Sequence, residues 1–301
     1  LLAVCFGFIL DGELRHIETG ERFKFDVKPG DQAYNQKHYE ALGKVIDETI
    51  YTMLVERAHL DKLLIPLQAD PKTPQGFIFA SRDLKTNAQK LLVLIHGSGV
   101  VRAGQWSRRL LINDSIFKGS QLPYIERAAS YGYAVIVLNT NHNYGLNAAG
   151  RLVPIPESDT PTSHAEYVWK NVIMPLSPAQ KIAIVAHSYG GLVTAQLASG
   201  KFRRDFKRRV FAVALTDSIH GSAAIPLPNN FIKIGRNWVQ SDQPVNSVKS
   251  INQRPNDVHR VSAGTTKHEE TSYCAFESVF EFLSEMEKHP PPVEEISDKE
   301  L

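Results

Sequence analysis

Ser188, with His268 and the aspartates Asp217 and Asp242 after it, could do covalent chemistry. Ser188 stands in Lys181-Ile182-Ala183-Ile184-Val185-Ala186-His187-Ser188-Tyr189-Gly190-Gly191. The apolar run, rich in Ile, Val and Ala, predicts a buried strand. It stops on a serine between small residues and a glycine pair. This is the pattern of a nucleophile elbow, a sharp strand-to-helix turn that lifts a serine hydroxyl above the sheet edge. Ala186 replaces the first glycine of the usual G-x-S-x-G form. The helix that follows, 191–199, points its positive N-terminal end at the site of an oxyanion on Ser188.

A serine hydroxyl is a poor nucleophile until a base takes its proton. His268 lies in a loop after the last predicted strand and is the favoured base; His220 is its competitor. His187 and His96 flank the motifs and are expected to be structural. The base needs a carboxylate that fixes its tautomer and stabilises the imidazolium. Asp217 caps the strand after the elbow helix and is the favoured acid. Asp242, at a later strand end, is the alternative. Both give the chain order Ser, Asp, His.

An oxyanion needs backbone N–H groups that approach it closely, which glycines permit. Lys90-Leu91-Leu92-Val93-Leu94-Ile95-His96-Gly97-Ser98-Gly99 is a second apolar strand ending in such a loop. Gly97 and Ser98 from this loop, and the amide of Tyr189 after the nucleophile, are the expected oxyanion hole.

The elements that must position these residues read as antiparallel strands first and a parallel β-α series afterwards. Residues 15–25 are expected to form a hairpin turning at Thr19-Gly20. A helical stripe runs over 34–59, and short strands follow at 63–67 and 76–80. Residues 99–118 are expected as a long loop, 120–131 as a helix, 132–138 as a strand and 145–161 as a loop. A helix is expected over 163–174 and a strand over 210–215. A further edge is expected to begin at Trp238, with a last strand over 258–264 and a final helix over 270–287. The expected architecture is α/β, with a mainly parallel central sheet and helices on both faces. Residues 1–288 are expected to form one such domain, with the hairpin and helix of 11–62 packed on it, and 289–301 a disordered acidic tail.

The chain has 301 residues, 43% hydrophobic and 22% charged, enough to bury a full core. A net charge of +2 implies no nucleic-acid or acidic partner, so direct nucleic-acid binding is not expected. Lys201-Phe202-Arg203-Arg204-Asp205-Phe206-Lys207-Arg208-Arg209 is the exception, read as a solvated helix or loop or as a nuclear-localisation segment. Cys5 and Cys274 offer neither a disulfide framework nor a metal pair. No metal or other cofactor is expected. No apolar run reaches transmembrane length. Residues 1–10 are apolar, read either as the remnant of a signal peptide or as a first buried strand. Asp298, Lys299, Glu300 and Leu301 resemble an ER-retention ending.

Residues 91–106, ending in His96-Gly97-Ser98-Gly99-Val100-Val101-Arg102-Ala103-Gly104-Gln105-Trp106, resemble the signature of the argonaute-binding, Arb-type domain family. Val185-Ala186-His187-Ser188-Tyr189-Gly190-Gly191, Ala214-Leu215-Thr216-Asp217-Ser218 and Arg260-Val261-Ser262-Ala263-Gly264-Thr265 match as well, as do Arg15-His16-Ile17 and Tyr39-Glu40-Ala41-Leu42-Gly43. The resemblance runs from about Gly12 to Glu287. It implies an α/β-hydrolase fold and work in nucleus and cytoplasm with argonaute, chromatin and splicing proteins, hence a part in alternative splicing. The animal regulators of that family carry a long Lys/Arg-rich insertion where this chain has only 147–161, with Arg151 its single basic residue. Two function classes stay open. One is a serine hydrolase acting on a small ester or amide through Ser188, His268 and Asp217, in the ER lumen or secreted if residues 1–10 are a signal. The other is a hydrolase-fold scaffold that binds proteins and no longer needs Ser188.

Overall fold

A computed structural model describes residues 5–70, 72–221 and 226–291. The signal reading of residues 1–10 therefore falls partly, and the ER-retention ending wholly, outside the described residues. So does the expected acidic tail from 292 onward.

The central sheet is built from β3 (Leu60–Ile65), β4 (Gly76–Ser81), β5 (Lys90–Ile95), β6 (Tyr133–Val137), β9 (Lys181–His187), β10 (Val210–Thr216), β11 (Gly235–Val239) and β12 (His259–Ser262). β1 (Phe6–Phe8) pairs with β2 (Leu14–His16), and β7 (Tyr144–Leu146) with β8 (Leu152–Pro154), as small antiparallel ribbons. The eight strands lie in the order β12-β11-β10-β9-β5-β6-β4-β3. Pairing is parallel from β12 through β6, and antiparallel where β4 joins β6 and β3 joins β4. With helices on both faces, this is the α/β-hydrolase architecture.

Strand side chains alternate between faces, so one apolar run serves two cores. On one face Leu92 and Leu94 of β5, Ala183 and Val185 of β9, and Ala212 and Ala214 of β10 are buried. They meet α1 (Gln32–Glu56) through Leu42, Ile46, Ile50 and Leu54, together with α4 (Leu122–Ser130) and α11 (Phe276–Lys288). On the other face Leu91, Val93 and Ile95 alternate with them, beside Ile182, Ile184, Val213 and Leu215. These pack against α5 (Pro161–Val168), the π turn at Trp169–Ile173, α7 (Gly190–Ser199) and α8 (Arg203–Arg209). Burial on both faces is why these strands read as continuous apolar runs.

Several local expectations are corrected. The N-terminal hairpin joins β1 to β2 through a turn at 9–12, where Gly12 N–H donates to Ile9 O. Phe23 does not extend that ribbon; it is buried and stacks on His38 of α1. The expected loop at 99–118 contains α2 (Arg108–Asn113) and α3 (Ile116–Gly119). The Ser107 hydroxyl accepts from Leu110 N–H and that of Ser115 from Lys118 N–H, so each short helix starts on a capping serine. The expected loop at 145–161 contains the β7–β8 ribbon. Its turn is closed by Asn147, whose side-chain oxygen accepts from Ala149 and Arg151 N–H. Trp238 and Val239 end a strand instead of beginning one. The C-terminal helix is broken into a 3-10 turn at His268–Glu270, α10 (Thr271–Cys274) and α11. The remaining helices, α6 (Met174–Leu176) and α9 (Asn229–Ile234), are short.

In the basic segment, Arg208 is exposed and pairs with Asp205. Arg209 does not face water. It is buried, and its guanidinium donates to the carbonyls of Ala179 and Ser177 at 3.0 and 2.8 Å. Among the described residues no helix is long and apolar enough to cross a membrane.

Candidate active site

Three neighbouring parallel strands, β5, β9 and β10, deliver three loops side by side at their carboxyl ends. That edge is where open α/β sheets bind ligands. β9 ends on Ser188, whose φ of 53° lies in the left-handed region that non-glycine residues rarely occupy. The turn is held by Ser188 N–H donating to Thr216 O at 3.1 Å, and by Ile219 and Gly191 N–H donating to Ser188 O. The glycine pair is a steric need. A Cβ on Gly190 would stand 2.6 Å from Ile95 O, and one on Gly191 would land on the Ser218 Oγ. α7 starts at this turn with its N-terminus below Ser188.

Asp217 follows β10 with φ 43°, its N–H donating to Trp238 O at 2.7 Å. This turn aims its carboxylate across the sheet edge at the loop after β12. There the His268 Nδ1–H donates to Asp217 Oδ2 at 2.6 Å, and Gln240 N–H donates to Oδ1 at 3.3 Å. Burial pushes the Asp217 carboxyl upward, but the hydrogen bond from His268 and then that from Gln240 prevail, so it lies below the ordinary aspartate value. The same hydrogen bond holds His268 above the ordinary histidine value, against the opposing effect of burial. With Nδ1 protonated toward Asp217, Nε2 is the ring nitrogen left for proton transfer. The His268 side chain is 42% exposed, so solvent or a ligand can reach it.

Asp242, the alternative acid, is exposed and accepts from its neighbour Gln243. The structure does not bring it to His268. His220, the competing base, donates from Nε2 to Asp257 at 2.7 Å and accepts at Nδ1 from Ser218 at 3.2 Å. His187 is buried with Nδ1–H donating to Thr216 O at 2.9 Å, and burial first, then the nearby His268 charge, brings it down to about 3. Buried His96 donates from Nδ1 to Gly97 O, and burial brings it down to about 4.

The loop after β5 lies directly against the elbow: a Cβ on Gly97 would stand 3.0 Å from the Ser188 Cβ. The N–H groups of Ser98 and Tyr189 have no acceptor among the described residues. Two asparagines set this loop. The Asn141 amide donates to Gly97 O at 2.9 Å and Val101 O at 3.1 Å, and Asn139 Oδ1 accepts from Ala103 N–H. His164 Nε2 accepts from Asn139 N–H, and its Nδ1–H donates to Ser158. In the sequence, Asn141 belongs to a polar cluster, Asn139-Thr140-Asn141-His142-Asn143, at a strand's carboxyl end, which marks the ligand edge without giving Asn141 a role. His164, on a helix 25 residues beyond Asn139, carries no such mark.

The arrangement can support acyl transfer: a strained serine, an imidazole oriented by a carboxylate, and unengaged N–H groups around them. Among the described residues no group of three or more His, Cys, Asp or Glu side chains could hold a metal ion.

The relatives agree with this architecture. The Arb2 domain matches residues 6–245. The chain is 39% identical to the Cotranscriptional regulator ARB2A homolog of Xenopus tropicalis, over 91% of this chain and 76% of that protein. It is 39% identical to the FAM172 family protein homolog Y75B8A.31 of Caenorhabditis elegans, over 97% of this chain and 90% of that one. Among solved structures, a histone deacetylase from Saccharomyces cerevisiae superposes with a TM-score of 0.53 at 15% identity. The match covers 82% of this chain and 98% of that one, a likeness of fold. From the matched domain and from the share of each relative that is covered, this chain belongs to the Arb2 domain family.

Proposed function

We propose that this protein is a nuclear cotranscriptional regulator that retains a serine-hydrolase site of esterase or amidase type. The observation that carries the catalytic part is the 2.6 Å hydrogen bond from His268 to Asp217, on the loops beside a serine held at positive φ. In the reaction, His268 Nε2 takes the Ser188 hydroxyl proton as Oγ adds to the ester or amide carbonyl. The oxyanion accepts from Ser98 and Tyr189 N–H, with the α7 N-terminus behind it. Collapse expels the alcohol or amine, which takes the proton from His268. Water, activated by the same imidazole, then releases the acid and restores Ser188. Asp217 keeps Nδ1 protonated and stabilises the imidazolium throughout.

The regulatory part is supported by the names of the relatives, and by the resemblance that implies argonaute, chromatin and splicing proteins as partners. A second reading, a silent scaffold, is favoured by one observation: the Ser188 hydroxyl has no hydrogen-bond partner among the described residues. Resting hydrolase sites often show such loose geometry, so the active reading stands as our conclusion. Labelling by a fluorophosphonate probe, lost in Ser188→Ala, tests it. An unlabelled wild-type protein, together with argonaute capture from extract that survives Ser188→Ala, would establish the scaffold instead.

A further inference from the structure

Beside His268 lies an open pocket of about 770 Å³, walled by the turn after β10, by α9 and by the segment leading into β12. Its wall includes Asp217 and His268, the pair His220 and Asp257, and the arginines Arg254 and Arg260. The volume is that of an ordinary small-molecule pocket. The wall also backs onto the elbow, because Ile219 N–H donates to Ser188 O at 3.1 Å.

The charges in this cavity are unevenly satisfied. Both carboxylates are committed. Asp217 accepts from His268 and from Gln240 N–H, and Asp257 from His220 at 2.7 Å and from Val258 N–H at 2.8 Å. Burial raises the Asp257 carboxyl, but the His220 hydrogen bond helps to hold it below its ordinary value. The guanidiniums are not matched in this way. Arg260 donates from its side chain only to Asn252 O, at 2.7 Å, and the Arg254 guanidinium has no partner among the described residues. Burial and then the Arg254 charge disfavour the charged form of Arg260, and the more distant charges of Asp257 and Asp217, which make no hydrogen bond to it, only partly offset them. Two cationic forks therefore face one cavity with most of their donors unused. An arginine fork fits a carboxylate through two parallel N–H···O bonds.

We propose that this cavity is the substrate pocket beside Ser188 and binds a small ester that also carries a carboxylate, gripped by Arg254 and Arg260. Turnover of such an ester rests on the serine-hydrolase reading above; binding of the carboxylate does not.

The test separates the two. Monomethyl succinate is titrated calorimetrically into the full chain carrying Ser188→Ala, which cannot turn it over, beside neutral dimethyl succinate and inorganic phosphate. The monoester is expected to bind at least about tenfold tighter than the diester, and Arg254→Gln and Arg260→Gln each to weaken it by about tenfold, as expected for losing one charge-assisted fork. Arg254 is exposed, so its variant remains a fair test if Arg260→Gln disturbs the fold. Equal binding of the two esters, no effect of Arg254→Gln, or tighter binding of phosphate than of the monoester overturns the proposal. Wild-type protein is then offered 4-nitrophenyl hemisuccinate and its methyl ester. Preference for the hemisuccinate supports the pocket as a substrate site. Arginine-dependent binding with no turnover of either keeps the carboxylate site and removes the hydrolase reading. Turnover of both at equal rates removes the pocket assignment alone.

Discussion

The imidazole of His187 packs against that of His268, with ring centroids 4.6 Å apart and planes inclined by 36°. One ring is buried and pinned to Thr216 O, and the other stands half-exposed and pinned to Asp217. His187 is therefore a floor on which His268 rests. His187→Ala is expected to cost about 2–3 kcal/mol of stability through the cavity it leaves. It is also expected to reduce kcat more than KM, because the base loses its fixed position. Denaturant unfolding and steady-state ester hydrolysis check both. Unchanged kcat in a folded variant would show that His268 needs no such support.

Buried histidines that stay neutral make the fold acid-sensitive. Burial holds His96 at about 4 and both His164 and His187 at about 3. Well above pH 6.5 neither folded nor unfolded chain protonates them appreciably, and full stability is present. Below that, the unfolded chain takes up protons that the folded chain refuses, so stability falls as pH falls, by up to about 1.4 kcal/mol per pH unit for each histidine. The urea midpoint should therefore drop steeply between pH 6.5 and 4.5. A flat midpoint over that range would contradict the burial of these rings.

For His268 the sign is reversed. Its folded value is raised, so its pairing with Asp217 stabilises the protein fully below about pH 6.5 and is lost as pH rises through the raised value. Catalysis needs the neutral ring, so kcat/KM should climb with pH through that same window above 6.5. Asp217→Asn removes the partner charge. It should move this limb to lower pH and lower turnover on the order of 10⁴-fold, while Asp242→Asn changes neither. A pH–rate profile for the three proteins decides it.

Ser188 carries backbone strain that glycine would not. Ser188→Gly should abolish labelling and turnover while raising stability by about 1 kcal/mol. Gly191→Ala should do the opposite to the fold, because its methyl group would collide with Ser218. Thermal unfolding of the two variants gives the comparison. A Ser188→Gly protein less stable than the parent would rule out strain at the elbow.

The basic segment divides into two kinds of arginine. Arg203→Gln and Arg208→Gln should each change stability by less than about 1 kcal/mol, since exposed ion pairs contribute little. Arg209→Gln should cost about 3 kcal/mol, because it leaves buried carbonyls without donors. Equal effects at 208 and 209 would show that the segment is uniformly solvated.

What could be read from the chain was what is local. The run ending at Ser188 carries its strand, its turn glycines and its nucleophile within eleven residues, Lys181 to Gly191, so the elbow was legible. Asp217 was favoured over Asp242 because its strand was unambiguous, but the choice depends on how β10 and β11 pair, which no local pattern encodes. α2 and α3 escaped because helices of six and four residues show no periodicity and depend on single serine caps. The burial of Arg209 beside charged, exposed Arg208 was hidden because its partners, Ala179 and Ser177, lie about 30 residues away. Asp257, the partner of His220, is equally remote in sequence.

The β7–β8 ribbon lies at the sheet's carboxyl edge, but its exposed tip at 148–151 belongs to neither β5, β9 nor β10. A segment spliced into that tip would lengthen the chain without moving Ser188, Asp217 or His268. The length of this tip can therefore vary from one Arb2 chain to another while the geometry around these three residues stays as it is.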